Sequence, residues 1–331
     1  MKNFLMTAIS VLDLVMMREG KNFSDSLNDI TLLAKHAEQS GYNRYWIAEH
    51  HNMPGIASSA TTIIMSHLAS QTSSLRIGSG GIMMPNHSPL IVAEQLATLN
   101  TLFPGRIDLG LGRAPGTNSL TVKAIRGTNT ITREFEDDVL TLQDYLLDNG
   151  NQPVRSIPEV QNIPIWILGS GLHGAELAAK MGLPFAFASH FAPFYLQQAV
   201  SHYKENFKPS AFLEKPYVMV GVNVFAADTY EEAQYLASSH RQWVVNRNCG
   251  RSGLLPKPVE NYISKISKDQ LHVMEAELAY TAIGSKEEVG TWLRRFINFS
   301  GADELMIDAR IYDPVARCRS YQLAAESLNL T

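Results

Sequence analysis

Ile77-Gly78-Ser79-Gly80-Gly81-Ile82-Met83-Met84-Pro85-Asn86-His87-Ser88-Pro89 is the stretch on which the fold turns. It continues a short apolar run that starts at Leu75, passes through small residues, and leaves as a loop bounded by two prolines. After Pro89, Leu90, Val92, Ala93, Leu96, Leu99 and Leu102 recur at spacings of three and four, the period of a helix with one buried face. A buried strand therefore runs into a glycine-rich turn and then into a helix. Glycines at a strand end remove side chains where something must approach the backbone closely.

The same unit recurs outward in both directions. Strands are expected at 4–11, 44–48, 75–81, 106–111, 163–168, 184–188, 217–226 and 304–308. Helices are expected at 26–40, 58–71, 89–102, 133–147, 175–181, 194–207, 229–245, 287–299 and 314–328, the first capped by Ser24 and Asp25 and stopped by Gly41. The segment 114–132 reads as an irregular excursion after strand four. The segment 246–283, with Pro256 and Pro258, reads as a surface insertion or lid after strand seven. No linker-like composition break divides the chain. Eight strand–helix units in one domain predict an α/β fold, a (β/α)8 barrel of the TIM type. The competing doubly wound sheet needs a G-x-G-x-x-G turn after its first strand, and none is present.

Composition narrows the function. At 45% hydrophobic and 18% charged residues the chain has ample material for a core. A formal net charge of −4 argues against nucleic acid or an anionic membrane as partner. Two distant cysteines, Cys249 and Cys318, predict neither a disulfide framework nor a metal knot. No export signal and no run long enough to span a bilayer stands out, so the expected location is the cytoplasm.

In a barrel, the loops that follow strands gather on one face. That rule collects Glu49, His50 and His51 after strand two, Asn86 and His87 after strand three, Arg113 after strand four, Gly169 and Ser170 after strand five, and Ser189 and His190 after strand six. Arg113, behind Gly110-Leu111-Gly112, suits a phosphate because its fork gives bidentate, charge-assisted hydrogen bonds. Gly169-Ser170-Gly171 opens a helix whose free N–H groups make a second anion cradle. Each is by itself also what a plain turn looks like; together on one face they point to a phosphate-bearing ligand. No metal is expected: adjacent histidines on a strand end diverge, and no carboxylate or cysteine cluster completes a ligand set. His50 fits proton transfer better. Glu49 is expected to anchor a backbone N–H or pair with an arginine, and Met83 and Met84 to line the core or pocket.

The chain then resembles a known family. Tyr45-Trp46-Ile47-Ala48-Glu49-His50-His51, the stretch from Gly78 to Pro89, Ala93-Glu94-Gln95, the stretch from Pro104 to Gly116, and the stretch from Gly182 to Pro193 are similar to the non-luminescent bacterial branch of the luciferase-like flavin monooxygenases. The resemblance runs from strand one to strand eight. It implies a barrel that uses reduced FMN as cosubstrate, dioxygen, and electrons from a separate NAD(P)H:flavin reductase. It implies a non-proline cis peptide at Gly80–Gly81, with Ser79, Gly80 and Gly81 against the flavin ring. Arg113, Arg133, Gly169, Ser170 and Gly171 would hold the phosphate. His50 would be the catalytic histidine, with His51, Met83 and His190 toward the substrate. A homodimer paired through early helices is implied as well. Two departures argue against light emission and a long-chain aldehyde: Gly112 stands where bacterial luciferase has a reactive cysteine, and Gly169 where it has an acid. Its region between strands seven and eight is also longer than this one. A deazaflavin-dependent reductase and a flavin carrier without turnover are the other functions compatible with these residues.

Overall fold

The computed structural model describes residues 7–127, 134–147, 153–159, 163–251 and 253–329. Its strands are β1 (Ala8–Asp13), β2 (Arg44–Ile47), β3 (Arg76–Met83), β4 (Ile107–Gly112), β5 (Ile165–Gly169), β6 (Phe185–Phe187), β7 (Val218–Ala226), β8 (Thr281–Gly284) and β9 (Glu304–Asp308). The helices are α1 (Phe23–Gln39), α2 (Thr61–Gln71), α3 (Pro89–Leu102), α4 (Ser119–Arg126), α5 (Phe135–Leu146), α6 (Leu172–Met181), α7 (Leu196–Asn206), α8 (Tyr230–Asn248), α9 (Lys268–Glu277), α10 (Lys286–Ser300) and α11 (Pro314–Ser327). β1 to β7 pair in parallel with their neighbours, and β9 closes the ring between β7 and β1. This is the (β/α)8 barrel the strand–helix rhythm predicts.

β8 is the departure. It pairs in parallel with Asn223–Ala226 at the C-terminal half of β7 and is not one of the eight strands of the ring. The segment 246–283, expected as an insertion or lid, thus ends in an added strand and contains α9, whose Ser267 and Gln270 form a reciprocal capping box. It is also tied down. Leu255 exchanges backbone hydrogen bonds with Met17 and Glu19, and Trp243 donates its indole N–H to the Gly253 carbonyl at 3.2 Å. A second short helix, α4, occupies part of the segment expected to be irregular, capped by Asn118 and ended by Gly127. The first strand begins at Ala8; Phe4, Leu5 and Met6 of the expected strand lie outside the described residues.

The two ends of the barrel differ. At the N-terminal ends of the strands, Arg44 bridges the buried carboxylates of Asp108 (2.8 Å) and Glu304 (3.1 Å), and Arg76 takes the other side of Asp108 at 2.5 Å. Ser10 and Tyr217 donate to Glu304, and Trp46 to Asp108. Above this layer, Trp46, Trp166 and Tyr217 meet edge to face. The floor is therefore plugged by ion pairs and aromatic rings, and only the opposite end is left to hold a ligand.

Candidate functional site

At the C-terminal ends of the strands the loops surround one cavity of about 910 Å³. That lies toward the upper end of the roughly 300–1,000 Å³ range of small-molecule sites. Its walls include His50, His51, Gly80, Gly81, Met83, Arg113, Gly169, Ser170, Gly171 and His190, so these expected site residues share a single hollow. Ser79 does not reach it. Its hydroxyl donates to the Gly110 carbonyl at 2.9 Å and accepts from the Gly110 N–H, tying β3 to β4. Arg133 lies outside the described residues.

β3 carries the sharpest feature. The Gly80–Gly81 peptide is cis, as the resemblance implies. The β3–β4 register slips between Ser79 and Ile82, so these two glycines bulge out of the ladder. A Cβ on Gly81 would clash with the Gly110 carbonyl oxygen at 2.7 Å; one on Gly80 would press on Leu12 Cδ1 at 2.8 Å and Trp46 Cβ at 3.1 Å, so Leu12 would have to shift.

Glu49 organises the wall beside them. Its buried carboxylate accepts from the Met83 N–H (3.1 Å), Asn86 Nδ2 (3.1 Å), His51 Nε2 (2.9 Å) and His87 Nε2 (2.9 Å). Burial pushes its pKa up, but the hydrogen bond and charge of His87, with Asn86 and His51, outweigh this and hold it below the ordinary carboxylate value. Two expectations change here. Glu49 does anchor a backbone N–H, but its other partners are two histidines and an amide, with no arginine. The histidines also do not lack a carboxylate: Glu49, His51 and His87 bring one ligand-type atom each within 4.8 Å of one another. Sequence spacing hides this because His87 returns from the next strand. The oxygens of Glu49 are already engaged by four donor groups, so the cluster serves as a hydrogen-bonded brace.

His50 points elsewhere. Its Nδ1 lies 3.0 Å from the Gly116 carbonyl oxygen. A carbonyl only accepts, so Nδ1 carries the proton and Nε2 is the free base of the neutral ring. Burial lowers its pKa below the usual histidine value, against the upward pull of that hydrogen bond. Gly116 has φ +63°, and a Cβ there would meet the Glu49 carbonyl oxygen at 2.9 Å.

On the β4–β5 side, Arg113 is exposed on the cavity wall and has no hydrogen-bond or ion-pair partner among the described residues. Gly171 is the N-cap of α6, so no side chain caps its first turn, and Ser170, Gly171 and His173 line the cavity. A Cβ on Gly171 would meet nothing within 4 Å. An unpaired guanidinium beside an uncapped helix N-terminus is a fitting cradle for a phosphate.

On the opposite side stand residues that sequence reading missed: Trp243 and Arg247 of α8, Met219 and Gly221 of β7, Met306 of β9, and Arg310. Carrying the after-the-strand rule on to the last strand would have named Arg310, two residues beyond Asp308. Nothing in α8 announces that Trp243 and Arg247 turn inward.

A barrel with one deep, largely apolar cavity at its C-terminal mouth, a phosphate-type cradle on one rim and a glycine bulge in its wall defines a ligand-binding enzyme scaffold. The family model for luciferase-like monooxygenases matches residues 6–303, and the chain belongs to that family. It is 46% identical over 322 residues to a luciferase-like monooxygenase of Escherichia coli (strain K12), covering 96% of each. It is 31% identical over 334 residues to an N-acetyl-S-alkylcysteine monooxygenase of Bacillus subtilis (strain 168), covering 98% of each. The crystal structure of apo-MsnO8 is similar throughout, with a TM-score of 0.88, 32% identity, and coverage of 98% of this chain and 99% of that one.

Proposed function

We propose that this protein is a cytoplasmic monooxygenase that takes reduced FMN as cosubstrate, with electrons from a separate NAD(P)H:flavin reductase, and inserts an oxygen atom from dioxygen into a small organic substrate. The observation that carries the reading is the joint placement of Arg113, the uncapped start of α6 and the Gly80–Gly81 bulge around one cavity. Arg113, Ser170 and the first N–H groups of α6 would hold the phosphate, and the Gly80–Gly81 backbone would lie against the ring. When bound, reduced FMN supplies the electrons that activate dioxygen.

The protein's own part is placement and shielding. Leu12, Met219 and Met306 give the cavity apolar walls that limit water. The segment 246–283 is the lid in this reading; Arg247 lines the cavity, and Leu255 is bonded to the loop after β1. His50 Nε2 takes or returns a proton at the reacting centre, with the ring held by Gly116. The Glu49 brace keeps Met83, His51 and His87 in place beside it. A relative whose name assigns it an N-acetyl-S-alkylcysteine substrate supports a small polar organic molecule here. A homodimer is also part of this reading: Ile63 on α2 and Ile91 on α3 are exposed, and size-exclusion chromatography would show the pair.

Titration with reduced FMN, oxidised FMN and a deazaflavin tests the cofactor. Reduced FMN should bind tightest; preference for deazaflavin would make the protein a reductase of hydride-transfer type. Arg113→Ala should weaken FMN about 10- to 100-fold, the ~1.5–3 kcal/mol of a charge-assisted hydrogen bond. Turnover coupled to a flavin reductase separates enzyme from carrier. Because burial lowers the His50 pKa, its free base prevails at neutral pH. Activity should fall as pH drops through a value below 6.5. His50→Asn should remove that acid limb and lower kcat by about 100-fold; an unchanged pH profile would dismiss the role.

A further inference from the structure

The cavity wall farthest from the phosphate cradle is not apolar. β9 stands diametrically across the ring from β4: four steps separate them in either direction. Just beyond β9, the Arg310 side chain is only 4% exposed, yet it lines the cavity. Its Nε and Nη2 both reach Asp308 Oδ2, at 2.9 and 2.8 Å. Its Nη1 has no partner among the described residues. The guanidinium lies over the Trp243 ring, 4.6 Å from its centroid. Arg247 lies over the same ring at 5.2 Å and also lines the cavity. Arg247 bonds Glu277 and Asn248 through Nη2, which likewise leaves its Nη1 unengaged among the described residues.

Because the Arg310 side chain is nearly buried yet lines the cavity, an acceptor for its free Nη1 comes from the cavity side. Asp308 and Glu277 hold the two side chains in position from behind, and Trp243 supports their planes. What faces the cavity is two sets of N–H donors beside the thioethers of Met219 and Met306. We propose that this wall is the substrate-recognition end of the site: Arg310 and Arg247 bind the carboxylate of a small organic acid whose apolar remainder lies on Met219, Met306 and Trp243. Two oxygens of one carboxylate match two forks, whereas a single carbonyl engages only one. This inference rests on the proposed function, because it assigns the cofactor phosphate to the Arg113 rim and leaves the Arg310 rim to the substrate.

The test uses the full-length protein and two probes of equal length, hexanoate and hexanamide, followed by calorimetry or ligand-observed NMR. Hexanoate should bind at least about 10-fold more tightly than hexanamide. Arg310→Met and Arg247→Met should each reduce that preference to about 3-fold or less while leaving the FMN titration unchanged. Arg310→Lys keeps the charge against Asp308 and loses the fork, so it should keep only part of the preference; thermal midpoints confirm that each variant is folded. Arg247 is 30% exposed and gives a second variant if Arg310→Met does not fold. Equal or absent binding of the two probes overturns the inference. So does an Arg310→Met variant that loses FMN and keeps hexanoate, because Arg310 would then serve the flavin ring. Loss of FMN binding in Arg113→Ala, read in parallel, reports on the cofactor reading alone.

Discussion

Arg44→Ala should cost about 3–5 kcal/mol of folding stability, read as a lower urea midpoint at neutral pH. Arg44 is the only cation that touches both Asp108 and Glu304 among the described residues, and both carboxylates are fully buried. Removing it leaves Glu304 with neutral donors alone, from Ser10, Asn43 and Tyr217. Asp108 keeps Arg76 and the Trp46 indole. A buried carboxylate stripped of its counter-ion is far more expensive than an intact pair is stabilising, and that asymmetry sets the magnitude. The Arg44 guanidinium also covers the Trp166 ring at 4.9 Å, so a packing loss adds to the electrostatic one. Arg76→Ala should cost less, because Arg76 is 24% exposed and Asp108 keeps Arg44. Arg44, Arg76, Asp108 and Glu304 do not line the cavity, which this network reaches only through Trp46. FMN affinity of folded Arg44→Ala protein should therefore match wild type. A stability change under 1 kcal/mol would mean that water replaces the guanidinium, and that the floor is wetter than its burial indicates.

That division of labour explains which parts of the molecule were legible in the sequence. The eight strands of the ring and their helices are written in local patterns: short apolar runs, period-3.6 helices and glycine stops; the ion pairs of the floor join distant residues and are not. The strand-to-glycine-to-helix stretch around Gly80 was readable because its composition is extreme. The cis peptide itself came from resemblance; nothing in the spacing of residues requires it. β8 was not legible, because four residues, Thr281 to Gly284, carry too little pattern to stand out after a proline-bearing segment. The capping box at Ser267 and Gln270 was the available signal for α9. At the site, residues just after strands two to six were found; those on β7 and β9, Arg310 beyond β9, and those brought in from α8 were not. Glu49, His51 and His87 meet only through the loop after β3, and Trp243 enters from the middle of α8. Such meetings are consequences of closure of the ring, which a linear reading does not contain.

Closure also buries histidines, and that gives the second large effect. His190 is held neutral: burial drives its pKa down to about 4, helped by Arg310 and opposed by Asp308. Its Nδ1 is buried without a hydrogen-bond partner among the described residues, packed where a Cβ on Gly221 would come within 2.4 Å. His240 is shifted the same way, well below the ordinary value, first by burial and then by Arg310. The unfolded chain takes up protons near pH 6.5, while the folded chain refuses them until about pH 4. The unfolded state thus binds more protons across that window, and stability falls as pH drops through it. For His190 alone the loss between pH 7.5 and 4.5 is on the order of 2–3 kcal/mol; His240 and His50 add in the same direction. Glu49 and Asp308 have depressed pKa values, so their contributions are present above the ordinary carboxylate range and are lost only below it. The two groups of residues therefore separate on the pH axis, histidines first. Urea midpoints measured between pH 7.5 and 4.5 should decline steadily, and His190→Gln should flatten part of that slope without moving the steeper loss below pH 4. A wild-type midpoint constant down to pH 4.5 would mean that water reaches these rings, and the β7–β9 wall would then have to be redrawn as an open, solvated one.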